Sequence, residues 1–176
     1  MEWLTFDLHP EYPPEGIPRE QLLRRYGDHF TNAVRTMIEE SGLPMHPEIE
    51  IVPNARNSLV LAELARDSGV LAGYRDKVFA AYWADARDIG DEEVILELAT
   101  EAGIDEAAAR AELTEKQRLD RVLGSTAEAT GAGVTGVPAW VIDQRVLVPG
   151  AQPHEVFDRV LQRMGHEPID GAGANG

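Results

Sequence analysis

Cysteine is absent from the 176-residue chain. Thiolates are the nucleophiles of disulfide exchange and the ligands of many zinc and iron–sulfur sites. The chain therefore has no disulfide of its own, no thiolate metal site and no protein-thiol chemistry. The sequence predicts that redox chemistry at sulfur is closed to these residues.

Basic residues are also scarce: 16 Lys and Arg stand against 31 Asp and Glu, for a formal net charge of −15. Nucleic acids and anionic membranes need cations to neutralise their phosphates, so we expect neither as a partner. No apolar run approaches the ~18 residues of a membrane span. Residues 1–16 also lack the basic and apolar regions of a secretory signal, and we expect a cytoplasmic protein.

Common catalytic and metal-binding motifs are missing as well. There is no Gly-x-Ser-x-Gly elbow and no glycine-rich phosphate loop. The five histidines show no metal-ligand spacing, and the acidic residues between positions 85 and 93 are better explained as helix caps. The sequence predicts no metal site and no catalytic residue.

What the chain does contain is an ordered series of helix and strand patterns in a length that suits one domain, or one domain with a large insertion. Residues 2–8 are typical of a strand, followed by a proline-rich loop. From Pro18 to Gly42, apolar residues recur every three or four positions, which predicts one amphipathic helix. Residues 48–52 alternate and indicate a short edge strand.

Residues 54–131 have only helical patterns. Asn54, Asp91 and Asp105 are predicted helix caps, and Thr114-x-x-Gln117 has the form of a capping box. Gly69 follows the first of these helices as its predicted left-handed residue. The predicted buried residues of the first and last helices are Val60, Leu61, Leu64, Ala65, Leu119, Val122, Leu123 and Thr126.

The final part changes back to strands. Residues 139–142 and 145–148 flank a polar Asp143-Gln144 turn and predict a β-hairpin. A helix follows Pro153, with Val156, Phe157, Val160 and Leu161 on one face, and residues 165–176 are predicted to be disordered. A Val-Pro turn before a β–β–α ending is typical of the C-terminal half of a thioredoxin fold. Residues 1–53 and 132–164 are thus predicted to form the N-terminal and C-terminal parts of a thioredoxin-like domain. Residues 54–131 are a predicted helical insertion domain between them, and residues 165–176 are the predicted disordered tail.

The chain resembles the DsbA-like branch of the thioredoxin superfamily, in particular the FrnE-like dithiol–disulfide oxidoreductases and their relatives, the 2-hydroxychromene-2-carboxylate isomerases and kappa-class glutathione transferases. Four stretches carry this resemblance. They are Phe6-Asp7-Leu8-His9-Pro10 with Pro13-Pro14-Glu15-Gly16; Pro53-Asn54 before a helix; Tyr82 with Arg87-Asp88-Ile89; and Gly133-Val134-Thr135-Gly136-Val137-Pro138 with Pro149-Gly150-Ala151-Gln152.

The resemblance implies a substrate-binding loop. It implies that Pro138 follows a cis peptide bond and that the backbone of Val137 pairs with an extended peptide or with glutathione. On this basis Gly136, Val137, Pro138 and Asn54 are predicted substrate-binding residues. The predicted substrate is an extended peptide or a glutathione-like thiol, with no other cofactor.

The chain departs from the family at its start. Redox members begin with a strand that leads to a Cys-x-x-Cys motif at a helix N-terminus, and the isomerase branch has a serine there. This chain begins at what resembles the second strand. The predicted fold is therefore an α/β thioredoxin-like fold with a large all-helical insertion, lacking the first strand and the Cys-x-x-Cys helix. Without the first strand, the predicted sheet has a gap. We expect one of three things to fill it: another segment of the chain, a partner chain in a homodimer through the unpaired sheet edge, or residues encoded upstream of Met1.

Three functional hypotheses follow. In the first, the chain is a DsbA/FrnE-like protein whose 176 residues have no disulfide-exchange activity, because none of them is cysteine. Alternatively, it is a glutathione-dependent isomerase or transferase of the kappa-like branch, or a non-catalytic binding module.

Overall fold

The computed structural model describes residues 1–46 and 50–166, and the chain divides into two compact units, Met1–Glu128 and Ala129–Gly176. No helix among the described residues is long and apolar enough to cross a membrane. The elements are β1 (Ile17–Pro18), α1 (Arg19–Tyr26), α2 (Asp28–Ser41), β2 (Ile51–Val52), α3 (Arg56–Asp67), α4 (Leu71–Trp83), α5 (Glu92–Glu101), α6 (Glu106–Glu115), α7 (Leu119–Gly131), β3 (Ala139–Ile142), β4 (Val146–Pro149) and α8 (His154–Arg163).

The core of the first unit lies among α3, α4, α5 and α6. Four predicted positions on α3 are buried because they recur at helical spacing on one side of the helix. Apolar residues of the other three helices and their connections complete the core. The buried residues of this cluster are Leu61, Leu64, Ala65, Tyr74, Ala81, Ile89, Ile95, Leu96, Leu98, Ala99, Ile104, Ala109 and Leu113.

Local end signals set the boundaries of these helices. The Asp91 carboxylate accepts the backbone N–H of Glu93 at 2.8 Å, and the Asp105 carboxylate accepts that of Ala108 at 2.9 Å. Gly69 follows α3 with a φ of +74°. These three predictions are confirmed, since each depends on bonds within a few residues.

The predicted capping box at Thr114 is wrong. Thr114 lies in the last turn of α6, where its hydroxyl donates to the Arg110 carbonyl at 3.0 Å. Lys116 then ends the helix in a left-handed conformation with φ +51°. The Thr side chain is used within the preceding helix and is not available to begin a new one.

α7 begins instead beside a buried carboxylate. Glu112 is 4% exposed; it accepts the backbone N–H of Arg118 at 2.8 Å and an ion-pair contact from the Arg118 guanidinium. Val122 is buried as predicted, whereas Leu123 is 43% exposed. The buried face of α7 is therefore narrower than its apolar pattern predicts.

The predicted single helix from Pro18 to Gly42 is also wrong, because it is two helices. Gly27 has a φ of +74°, and its N–H donates to the Leu23 carbonyl at 2.7 Å and ends α1. Glycine adopts this conformation with little steric cost. The apolar period continues through the break, so periodicity alone did not reveal it.

Residues 2–8 are not assigned to a strand in the structure, which corrects the strand prediction. The Ser125 hydroxyl donates to the Thr5 carbonyl at 2.7 Å, and the Asp7 N–H donates to the Thr126 hydroxyl at 2.9 Å. These backbone groups are satisfied by side chains of α7 in place of a neighbouring strand.

The strands that the structure assigns in the described part of the first unit, β1 and β2, lie after residues 2–8 in the sequence. β1 pairs antiparallel with β2, with Ile17 opposite Val52. A side chain at Gly16 would place its Cβ 2.5 Å from the Val52 carbonyl oxygen, and Gly16 also has a φ of +73°. Only glycine fits this approach. The predicted strand over 48–52 is thus confirmed at Ile51–Val52, and residues 47–49 lie outside the described residues.

The second unit contains the predicted hairpin, β3 and β4, followed by α8. The apolar residues of α8 are half-buried, and none of its residues is fully buried. Within the tail predicted to be disordered, the His166 Nε2 atom lies 2.8 Å from an Asp143 carboxylate oxygen. Residues 167–176 lie outside the described part of the chain.

Candidate functional site

The hairpin register determines which backbone groups of the second unit face outward. Trp140 lies opposite Val148, and the Gly150 N–H donates to the Pro138 carbonyl at 2.8 Å. Hydrogen-bonded and non-hydrogen-bonded pairs alternate along an antiparallel ladder. Trp140 therefore directs its backbone groups toward β4, and Ala139 and Val141 direct theirs away from it.

Two proline positions are consistent with this alternation. Pro149 lies opposite Ala139 in a non-hydrogen-bonded pair, where its missing N–H costs no ladder bond. Pro138 uses only its carbonyl, in the bond from Gly150.

The turn of the hairpin was predicted from its residue types. Asp143 and Gln144 have φ values of +50° and +55°, and the Arg145 N–H donates to the Ile142 carbonyl at 3.0 Å. Asp tolerates the left-handed region better than most residues, and two consecutive positive φ values match the twist of the flanking strands.

The loop before β3 is anchored at one end and exposed at the other. The Val134 N–H donates to the Ala129 carbonyl at 2.9 Å, and the Val134 side chain is 6% exposed. Three residues later, Val137 is 49% exposed, and the Val137–Pro138 peptide bond is cis. Among the hydrogen bonds of the described residues, none uses the N–H or C=O of Val137.

A shallow concavity of about 150 Å³ lies along this loop. None of the described residues that line it has a charged side chain. The hydroxyl of Thr135 is the only polar side-chain group among these lining residues. Such a surface recognises a ligand through backbone hydrogen bonds and apolar contact. The lining residues are Gly133, Val134, Thr135, Gly136, Val137, Pro138, Ala139, Leu147, Pro149 and Gly150.

The structure thus brings together three of the four predicted substrate-binding residues, Gly136, Val137 and Pro138, in the second unit. Asn54 belongs to the first unit. Its Nδ2 donates to the Tyr12 carbonyl at 2.7 Å, and its Oδ1 accepts the Arg56 N–H at 3.1 Å. Both polar ends of Asn54 therefore stabilise the first unit, and a role in substrate binding stays a prediction.

Sequence reasoning missed the ion pair beside Asn54. The Asp7 side chain is 7% exposed, and its carboxylate accepts from Arg56 Nε at 2.8 Å. The Arg56 guanidinium also donates to the Pro10 carbonyl at 2.9 Å, and the rings of His9 and Tyr12 stack with centroids 4.3 Å apart. The sequence signal for this ion pair was the stretch from Phe6 to Pro10, whose polar residues were not assigned individual roles.

Titratable groups near these elements do not form a metal centre. Within residues 1–46 and 50–166, no three His, Asp or Glu side chains are grouped closely enough to hold a metal ion.

Burial raises the pKa of Tyr82, with the nearby Arg19 charge acting in the opposite direction. The Tyr82 phenol therefore stays protonated at neutral pH.

Comparison with known proteins identifies the family. The model of the DSBA-like thioredoxin domain matches residues 1–162, and the chain belongs to this family. It is 25% identical over 163 residues to "Uncharacterized protein YwbO" of Bacillus subtilis strain 168, covering 92% of this chain and 80% of that protein.

A solved structure extends the comparison to the fold. The crystal structure of a "probable DsbA oxidoreductase" from Streptomyces coelicolor superposes with a TM-score of 0.82 and 26% identity. The alignment covers 98% of this chain and 79% of that chain. The fold is therefore the thioredoxin-like α/β fold of the DsbA family, which confirms the predicted fold class and the predicted membership of the DsbA-like branch.

Replacing Asn54 by alanine tests its structural role. We expect Asn54→Ala to lower the free energy of unfolding by about 1–2 kcal/mol, because it removes two partly buried hydrogen bonds. Urea unfolding followed by far-UV circular dichroism measures the change. Asn57→Ala, which removes an exposed contact with Glu92, is the matched control and should cost less than about 0.5 kcal/mol. Equal effects of the two variants would contradict the assignment.

Proposed function

We propose that these residues form the polypeptide-binding part of a DsbA-like thiol–disulfide oxidoreductase of the FrnE-like group. The observation that carries the proposal is Val137, an exposed residue just before β3 whose backbone N–H and C=O take part in no hydrogen bond among the described residues. An extended peptide pairs with this edge as an added strand, and the concavity beside residues 136–138 receives its side chains.

The length of the edge supports binding of an extended segment. Ala139 and Val141 are two residues apart in β3, so their outward backbone groups lie ~7 Å apart along the strand, and Val137 comes two residues before them. The side chains of Val137 and Val141 are 49% and 51% exposed. Backbone pairing gives affinity without sequence specificity, and the exposed valines favour apolar residues in the bound segment.

Disulfide exchange itself needs a thiolate that attacks a sulfur atom. None of the 176 residues is cysteine, so these residues contribute substrate binding and not the attacking sulfur. Glutathione is a second candidate ligand, since it offers peptide bonds to the same groups of Val137.

Substitution at Val137 separates backbone from side-chain binding. Val137→Pro removes the N–H donor, and we expect it to weaken binding of carboxymethylated insulin B chain by about 1 kcal/mol, or roughly fivefold. Val137→Ala keeps the donor and should change the dissociation constant by less than about twofold. Fluorescence anisotropy of the labelled B chain measures both. If Val137→Ala weakens binding as much as Val137→Pro does, the backbone does not carry recognition.

Catalysis is tested separately from binding. We expect the 176-residue chain with dithiothreitol to reduce insulin no faster than dithiothreitol alone, because it supplies no thiolate. Turbidity of the precipitating B chain measures the rate, with thioredoxin as the positive control. Faster reduction of insulin in the presence of the cysteine-free chain would disprove the proposal that these residues bind the substrate without catalysing disulfide exchange.

A further inference from the structure

The loop that carries Val137 is held at its two ends. At the far end, the Pro138 carbonyl accepts the Gly150 N–H at 2.8 Å. At the near end, the Val134 N–H donates to the Ala129 carbonyl at 2.9 Å. Among the described residues, the three positions between these anchors form no backbone–backbone hydrogen bond. The position of the Val137 backbone therefore depends on the two anchors.

The near anchor is a helix-ending motif that contains Gly133. The Gly133 N–H donates to the Thr130 carbonyl at 3.0 Å, and the next N–H, that of Val134, donates to the Ala129 carbonyl. This pair of bonds is the Schellman motif, which places a left-handed residue at the Gly133 position. Gly133 has a φ of +92°, and the Val134 side chain that follows is buried. The motif thus ends α7 and sets the direction in which the loop leaves it.

Conformation, and not space, accounts for a glycine at this position. A Cβ at Gly133 would lie 3.7 Å from Leu147 Cδ2, which is an ordinary van der Waals contact. The left-handed conformation is costly for residues with a Cβ, and asparagine adopts it more readily than alanine does. An alanine at this position would favour conformations in which the Val134 N–H no longer reaches the Ala129 carbonyl.

We infer that Gly133 is a positioning residue for substrate binding, because its left-handed conformation holds the near end of the loop and thereby the backbone N–H and C=O of Val137. The inference rests on the proposed function, in which Val137 pairs with an extended peptide. When the near anchor opens, the loop samples other conformations. The apparent affinity for the peptide then falls with the fraction of molecules that is competent to bind.

Two substitutions at Gly133 separate the effect of conformation from that of space. Alanine adds the smaller side chain but disfavours the left-handed conformation, whereas asparagine adds the larger side chain and tolerates it. We expect Gly133→Ala to weaken binding of carboxymethylated insulin B chain about fivefold in anisotropy titrations, and Gly133→Asn to weaken it less than about twofold. If the new side chain acted by filling the concavity, Gly133→Asn would weaken binding more than Gly133→Ala.

Gly165→Ala is the matched control, because Gly165 ends α8 in the same motif. Gly165 has a φ of +85°, and the N–H groups of Gly165 and His166 donate to the Gln162 and Leu161 carbonyls, each at 3.0 Å. No residue of the Val137 loop follows it. We expect Gly165→Ala to lower the urea midpoint about as much as Gly133→Ala does, and to change peptide binding by less than about twofold.

The Val137 amide reports the loop conformation without a ligand. In two-dimensional NMR of the unliganded full chain, its cross-peak should move in Gly133→Ala and stay close to the wild-type position in Gly133→Asn and Gly165→Ala. Three results would overturn the inference: weakening by Gly133→Asn equal to or greater than that by Gly133→Ala, an unmoved Val137 cross-peak in Gly133→Ala, or equal weakening by Gly165→Ala. Failure of the wild-type chain to bind the B chain would instead overturn the proposed function, and the Val137 cross-peak would still decide the role of Gly133.

Discussion

The hydrogen bond from the Gly150 N–H to the Pro138 carbonyl sets the chemistry of the second unit. It fixes the alternation of the hairpin, so that Trp140 is paired with β4 while Ala139 and Val141 direct their backbone groups outward. A shift by one residue would turn the outward groups inward and reverse the two faces of the strand. Peptide binding at this edge, as we propose it, depends on that single register.

The first unit depends on polar groups that are held away from water. Glu112 is buried beside Arg118 at the start of α7, and the buried Glu63 carboxylate accepts from the Thr5 hydroxyl at 3.0 Å. Asp7 is paired with Arg56. Because a buried carboxylate without a partner is costly, these pairs fix the positions of the segments that they join. The N-terminal segment is thus attached to helices by side chains.

Local signals predicted local structure well. Asp91 and Gly69 were correctly assigned because a cap and a left-handed end need only neighbouring residues. The break at Gly27 was missed because the apolar period continues through it. The strand predicted over residues 2–8 failed because pairing needs a distant partner. The role of Val137 came from a resemblance, and its continuity with β3 required the hairpin register.

Amide hydrogen exchange of the unliganded chain, followed residue by residue by NMR, tests the open edge most directly. We expect the amides of Val137, Ala139 and Val141 to exchange at least about a hundredfold faster than that of Trp140, whose N–H is in the ladder. Added carboxymethylated insulin B chain should slow these three amides and leave Trp140 unchanged. Protection of the three amides equal to that of Trp140 in the absence of peptide would contradict an open, unpaired edge at these residues.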